Sequence, residues 1–204
     1  MLGAGLKDLI RLVIIASCLV LTPSIALSSD FDDRYSDIKF NSGKTYAIAF
    51  SDNTREYVAN YSFSYQDRLY NEERLRYLIE ATLNALFKYV NLNNINYSEC
   101  IEHNNIEVYQ VSISDLNDDR SRVNIPVPAG RTVYGYFDPM LDDNSRSAIV
   151  ITYSPGRIGW GMNQSIVAHE IAHYFYYRMC LWNFSTIKSE DFALGFESYF
   201  RDSF

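Results

Sequence analysis

The chain has 204 residues and an acidic composition, with 25 Asp and Glu against 18 Lys and Arg and a formal net charge of −7. Hydrophobic residues make up 48%, enough apolar side chain to form a sizeable core. An acidic chain without a basic stripe has no electrostatic reason to bind nucleic acid, so we expect no nucleic-acid partner.

The first 28 residues have the pattern of a secretory signal peptide. Lys7 and Arg11 give a positively charged start, residues 12–27 are almost wholly apolar, and Ala26-Leu27-Ser28 fits the small-x-small cleavage pattern. The apolar run of about 16 residues is short for a membrane span, which needs roughly 20. We therefore expect a secreted or periplasmic protein with no stable membrane span after cleavage.

Cys18 offers an alternative to simple cleavage. The segment Ile15-Ala16-Ser17-Cys18 resembles a bacterial lipobox, but the apolar run continues well past Cys18, so lipid anchoring is the less favoured interpretation. Residues 29–43 are rich in Ser, Asp and Asn and predict a flexible leader. About 176 residues follow the signal, and residues 44–204 are predicted to form a single domain.

Hydrophobic spacing predicts strands and one long helix in the first part of this domain. Residues 44–51 alternate as a short strand, and residues 53–66 fit either a second strand or an irregular segment. From residue 71 to about residue 90, apolar side chains recur at intervals of three and four, which predicts an amphipathic helix. Residues 106–114 alternate again as a strand.

Two β-rich runs, at 131–137 and 148–153, predict an antiparallel pair joined by an acidic turn. Within that turn, Asp142-Asp143-Asn144 offers oxygen ligands of the kind that Ca²⁺ prefers. No EF-hand spacing accompanies these residues, so a solvated turn is favoured over a calcium site. The order of strands and helices predicts an α+β fold.

The most informative segment is His169-Glu170-Ile171-Ala172-His173, which has the HExxH pattern of zinc metallopeptidases. On a helix, the two histidines lie one turn apart on a single face, so both imidazoles can reach one ion. Glu170 lies about 100° around the helix, close enough to hydrogen-bond a water at that ion. The uncharged flanks suit a helix beneath a cleft, with Asn163 or Ser165 as its N-cap. The alternative is a core helix whose histidines only form hydrogen bonds.

A catalytic zinc needs a third protein ligand besides two histidines. The pattern HExxHxxGxxH fails, because Tyr176 and Met179 stand where Gly and His are required. A following helix presents Glu190 in its first turn, and Glu197 lies seven residues later on nearly the same face. Helical spacing alone permits either Glu190 or Glu197 as the third ligand, while Asp191 would point elsewhere if Glu190 faces the metal.

These residues resemble the gluzincins, the thermolysin- and aminopeptidase-like branch of the zincin metallopeptidases. Glu190-Asp191-Phe192-Ala193 resembles their E-x-x-A signature, although the gap of 16 residues after His173 is slightly shorter than usual. The resemblance covers about residues 145–200. It implies one Zn²⁺ per chain, held by His169, His173 and Glu190.

The resemblance also implies a fold and an activity. In zincins a small antiparallel or mixed sheet packs on the metal helix and a following ligand helix, and an edge strand pairs with the extended substrate. The 131–137 or the 148–153 strand would be that edge. Glu170 would be the general base in the hydrolysis of a peptide or protein substrate. The donor to the oxyanion stays open among Tyr153, Tyr199 and His103.

Two other classes of protein remain open on the sequence. A catalytically inactive zinc-binding or peptide-binding module would retain the same metal-binding residues. A secreted acidic binding protein without any metal would not lose stability on chelation. Cys100 and Cys180 form an even pair in an oxidising compartment, so both a disulfide and two separate buried thiols are open.

Overall fold

The computed structural model describes residues 40–66, 71–102, 105–112, 134–139, 146–153 and 164–203. The expected signal peptide, the lipobox at Cys18, the Asp142-Asp143-Asn144 turn and His103 lie outside these residues. No helix within the described ranges is long and apolar enough to cross a lipid bilayer.

The described residues form five strands and four helices. In chain order these are β1 (Asn41–Ser51), β2 (Glu56–Tyr65), α1 (Glu72–Leu92), β3 (Asn105–Ser112), β4 (Gly135–Asp138), β5 (Arg146–Tyr153), α2 (Gln164–Arg178), α3 (Leu181–Phe184) and α4 (Ser189–Ser203). Strand β1 begins three residues before its predicted start, so residues 41–43 belong to the strand and not to the leader. The ambiguous segment 53–66 contains β2, because its aromatic side chains alternate with polar ones.

The five strands form one mixed sheet in the order β1-β2-β3-β5-β4. Strand β1 is antiparallel to β2 and β4 is antiparallel to β5, whereas β2, β3 and β5 run parallel to one another. The predicted α+β class is confirmed, and so is the antiparallel pair, in which Gly135 lies opposite Ile151. Within the described residues, β4 is an edge strand.

Helix α1 shows why the sequence folds locally as predicted. The Asn71 side chain caps it by accepting hydrogen bonds from the backbone N–H groups of Glu73 and Arg74 at 3.0 and 3.3 Å. Its apolar residues at intervals of three and four are buried against the sheet and the other helices. These residues are Leu75, Ile79, Leu83, Leu86, Phe87 and Val90.

The core lies between one face of the sheet and helices α1, α2 and α4. Phe175 of α2 packs edge-on against Phe87 of α1, with ring centroids 5.0 Å apart, and stacks on Phe192 of α4 at 6.4 Å. Helix α2 is therefore enclosed by apolar partners on several sides. His169, Glu170 and His173 lie on the side of α2 that faces β4 and α4.

The C-terminal end of α2 is fixed by the loop that precedes β3. Cys100 forms a disulfide with Cys180, with Cα atoms 5.9 Å apart. The backbone N–H of Cys100 donates to the carbonyl of Arg178 at 2.9 Å. The Arg178 guanidinium, 1% exposed, donates to a Glu99 carboxylate oxygen at 2.6 Å and to the Tyr174 hydroxyl at 2.6 Å. A covalent bond and a buried ion pair thus hold the same end of the helix.

Candidate metal centre

Helix α2 presents the two predicted histidines on one face. It begins at Gln164, which makes Ser165 its second residue and leaves Asn163, outside the described residues, as the residue before it. His169 and His173 lie one turn apart, with their Nε2 atoms separated by 3.1 Å. Val167 and Ile171, on the other side of the helix, are fully buried. The burial of the apolar side orients both imidazoles toward α4.

Glu190, in the first turn of α4, completes a group of three potential ligands. One carboxylate oxygen lies 3.6 Å from Nε2 of His169, and the other lies 3.3 Å from Nε2 of His173. One ligand atom from each of the three residues lies within 4.8 Å of the others. His169, His173 and Glu190 could therefore hold a metal ion. The Glu190 side chain is 64% exposed, so the group opens toward solvent.

Two further side chains of α4 contact the histidines at the other ring nitrogen, Nδ1. Glu197 places a carboxylate oxygen 3.3 Å from Nδ1 of His169, and the Ser189 hydroxyl lies 2.8 Å from Nδ1 of His173. An acceptor at Nδ1, which the Glu197 carboxylate is and the Ser189 hydroxyl can be, favours the tautomer whose Nε2 lone pair is free for a metal. Glu197, the alternative ligand in the sequence, thus contacts the opposite ring nitrogen. The role of Ser189 was not predicted, because only the path of α4 along α2 brings it to His173.

The pKa of His173 is lowered to about 4, first by burial and then by the neighbouring His169. The imidazole is therefore neutral at pH 7. A neutral imidazole is the form that binds metal ions.

Glu170 is buried between α2 and β4, with 5% of its surface exposed. Burial raises its pKa well above the ordinary value for Glu, and the carboxylates of Glu190 and Glu197 raise it further. Gly135 of β4 lies directly against this side chain. A Cβ atom at position 135 would come within 2.5 Å of a Glu170 carboxylate oxygen and 2.9 Å of Ile166. Only the absence of a side chain at Gly135 allows the strand to approach Glu170 this closely.

The Phe137 side chain of β4 lies beside His173. Its ring is parallel to the His173 imidazole, with centroids 6.4 Å apart and an interplanar angle of 3°. It also contacts the rings of Tyr174 and Tyr177 at 6.3 and 5.6 Å. Strand β4 therefore lies along α2 from Glu170 to Tyr177.

Within the described residues, no candidate oxyanion donor lies beside His169, His173 and Glu190. Tyr199 packs against Tyr89 and Phe196, with ring centroids 5.4 and 6.2 Å away, on the side of α4 that faces the core. The Tyr153 side chain and His103 lie outside the described part of the structure. Asp191 is exposed, next to Glu190.

No protein-family model matches the chain, and a search of curated proteins finds no relative by sequence.

Proposed function

We propose that this protein is a secreted or periplasmic zinc-dependent peptidase with a zincin-like arrangement. One observation carries the proposal: the ligand atoms of His169, His173 and Glu190 converge beside the buried carboxyl group of Glu170. Two imidazoles and one carboxylate are a ligand set of catalytic zinc sites that leave a fourth position open. The exposure of Glu190 toward solvent fits such an open position.

Each residue would have a distinct role. His169, His173 and Glu190 would hold the zinc, and Glu197 and Ser189 would keep the imidazoles oriented through their Nδ1 atoms. A bound zinc would supply Lewis acidity to the attacking water and to the scissile carbonyl group. The positive charge of a bound zinc would offset the burial and the neighbouring carboxylates that raise the pKa of Glu170, so that Glu170 would accept the proton of the water and pass it to the leaving amine.

Strand β4 would position the substrate. A peptide that pairs with β4, the edge strand of the described sheet, would lie along α2, beside Glu170 and His173, because β4 itself contacts both residues. The Cys100–Cys180 disulfide supports the proposed location, since disulfides persist in oxidising compartments.

The proposal is tested by metal content and turnover together. We expect the purified protein to contain one zinc per chain by mass spectrometry and a His169→Ala variant to contain none. Glu170→Gln should keep the zinc and lose peptide hydrolysis by at least about 100-fold, because it removes the proton acceptor and keeps the shape.

Three results would contradict parts of this proposal. If the protein cannot be loaded with zinc, the alternative class applies: a secreted acidic binding protein that holds no metal. Zinc without any turnover on a peptide library would identify the inactive binding module of the same fold. Full hydrolysis by Glu170→Gln would show that the proton acceptor is a different group.

A further inference from the structure

The metal-binding face of α2 continues past His173 into a set of aromatic rings. Tyr177 lies one turn after His173, on the same face of the helix, and is partly buried. Its ring lies 5.6 Å from Phe137 of β4 and 5.5 Å from Trp182 of α3. Phe137, Tyr177 and Trp182 form a continuous row of ring contacts, here called the aromatic ledge, which runs from the buried Phe137 beside His173 to the exposed Trp182.

The outer end of this ledge is open to solvent. Trp182 is 44% exposed, and the nearby Phe184 and Ile187 are 48% and 37% exposed. These residues belong to the short connection that leads into Ser189 and Glu190. Large apolar side chains are thus exposed in the connection between α2 and the first turn of α4, where Glu190 lies. Exposed apolar side chains that lie close together in this way are typical of binding surfaces.

The direction of β4 determines which part of a substrate meets the ledge. Gly135 lies beside Ile166 and Glu170, and Phe137 lies beside His173 and Tyr177, so β4 and α2 run in the same direction. Antiparallel pairing is the more stable arrangement for an added strand. A peptide antiparallel to β4 would run from the level of Tyr177 toward the level of Ile166. Its residues before the metal, on the N-terminal side, would lie over the ledge.

We infer that the aromatic ledge receives a large apolar or aromatic side chain on the N-terminal side of the scissile bond. The inference rests on the proposed peptidase function and names the substrate class of that site. Trp182 packs on the buried Tyr176 and on the partly buried Tyr177, so a side chain seated there meets the Trp182 and Tyr177 rings. Aromatic and aliphatic side chains gain most from such a contact.

The test is a cleavage profile on a random decapeptide library, with the cut sites read by mass spectrometry. The zinc-loaded protein should favour Phe, Tyr, Trp and Leu at the two positions before the cut. Trp182→Ala should reduce that preference about fivefold, measured as the ratio of kcat/KM for peptides with Phe to kcat/KM for peptides with Ala at these positions. Trp182→Phe should retain most of the preference.

A matched control separates the ledge from a general effect of surface rings. Tyr77 on α1 is 70% exposed, and Tyr77→Ala should leave the cleavage profile unchanged. A second measurement does not need turnover. Zinc-loaded Glu170→Gln should bind an uncleaved peptide with Phe in its central positions more tightly than the same peptide with Asp there. Adding Trp182→Ala should remove the difference.

The outcomes distinguish this inference from the proposed function. Glu170-dependent hydrolysis without an apolar preference, or with the preference after the cut, overturns the ledge assignment and leaves the peptidase intact. Absence of any Glu170-dependent hydrolysis overturns both. If Trp182→Ala instead abolishes binding to vesicles of phosphatidylcholine and phosphatidylglycerol without changing the cleavage profile, the exposed rings contact lipid and the inference is wrong.

Discussion

At the scale of single residues, the two glutamates of α4 contact different nitrogen atoms of the histidine pair. Glu190 faces the Nε2 atoms, whereas Glu197 approaches Nδ1 of His169. A carboxylate at Nδ1 orients the ring and raises its basicity without binding the metal itself. The two side chains are chemically identical, so their positions alone separate their roles.

Alanine substitution should reveal this difference. We expect Glu190→Ala to lose stoichiometric zinc because it removes a ligand atom. Glu197→Ala should keep one zinc per chain with an affinity about 10- to 100-fold lower, the usual cost of losing an outer hydrogen-bond partner. Zinc titration against a competing chelator measures both. Retention of zinc by Glu190→Ala together with its loss in Glu197→Ala would reverse the assignment.

The sequence could predict this site only in part. The spacing of His169 and His173 is local, so it predicted a shared helix face correctly. Glu190 and Glu197 are seven residues apart and differ by only about 20° around a helix, so spacing could not distinguish them. The choice depends on the path of α4 along α2. The buried ion pair of Arg178 could not be predicted either, because its partner Glu99 lies 79 residues away in the chain.

Asp52, after β1, is an acceptor for five hydrogen bonds from three turn groups and two tyrosines. The donors are the Thr54 backbone and hydroxyl, the Arg55 backbone, and the Tyr57 and Tyr97 hydroxyls, at 2.6–3.0 Å. Burial alone would raise the pKa of Asp52, but the hydrogen bonds together hold it well below its ordinary value of 3.8.

This arrangement predicts a pH-dependent contribution to stability. Because the folded pKa of Asp52 is the lower one, its contribution is complete above the unfolded pKa and declines as the pH falls below about 4. Asp52→Asn should lower the free energy of unfolding at pH 7 by about 1–2 kcal/mol, since solvent screens part of each bond. Urea denaturation from pH 2.5 to 7 should show a weaker decline in the variant. Asp202→Asn, exposed on α4, controls for net charge, and an equal effect there would contradict the prediction.

At the scale of secondary-structure elements, the contact between β4 and α2 places Gly135 and Phe137 beside the candidate metal centre. The four-residue strand lies close enough to α2 for Gly135 to contact Glu170 and for Phe137 to stack on His173. Strand β5 holds β4 in register from the other side. The distance between strand and helix thus depends on a residue without a side chain.

Gly135→Ala should therefore disturb turnover more than metal binding. The added methyl group would displace Glu170 or β4, and a misplacement of about 1 Å can cost about 100-fold in rate. We expect zinc content to stay at one per chain and hydrolysis to fall by about that factor. Gly43→Ala is the control, because Gly43 lies in β1, the strand at the opposite edge of the sheet, and its Cβ would also meet close neighbours: the Glu72 carboxylate and, at 2.8 Å, the Phe63 carbonyl oxygen of β2. Equal losses of turnover in both variants would contradict a specific role for Gly135.

Elements that depend on contacts between residues close in sequence were easier to predict than those that depend on contacts between distant residues. Helix α1 was predicted within two residues at each end, because its cap and apolar spacing are local signals. The order of the strands could not be predicted, since β2, β3 and β5 pair across long chain separations. Helix α3 has only four residues, too few for any period to appear.

At the scale of the whole molecule, the core is formed by apolar side chains that are not part of the candidate metal centre. The candidate centre lies on the outer side of α2 and α4, while the opposite sides of both helices form the core with α1 and the sheet. Residues such as Ile171, Phe175 and Phe196 are fully buried there. Apolar burial on this scale stabilises the domain independently of the site.

Removal of the metal should lower stability without unfolding the protein. If zinc is present at about 100 times its dissociation constant, chelation with EDTA should lower Tm by about 5–10 °C. The far-UV circular dichroism at 25 °C should stay unchanged. The Tm of Glu190→Ala should not respond to EDTA. Loss of the helical signal on chelation would show that the site is required for folding.

The Cys100–Cys180 disulfide has a further consequence for the integrity of the chain. Strands β3, β4 and β5 and helix α2 all lie between these two residues. A single backbone cut anywhere in residues 101–179 would leave both fragments covalently joined. The nicked protein would migrate as one species on a non-reducing gel and as two after reduction, with the edge strand, the metal helix and α4 still held in one molecule.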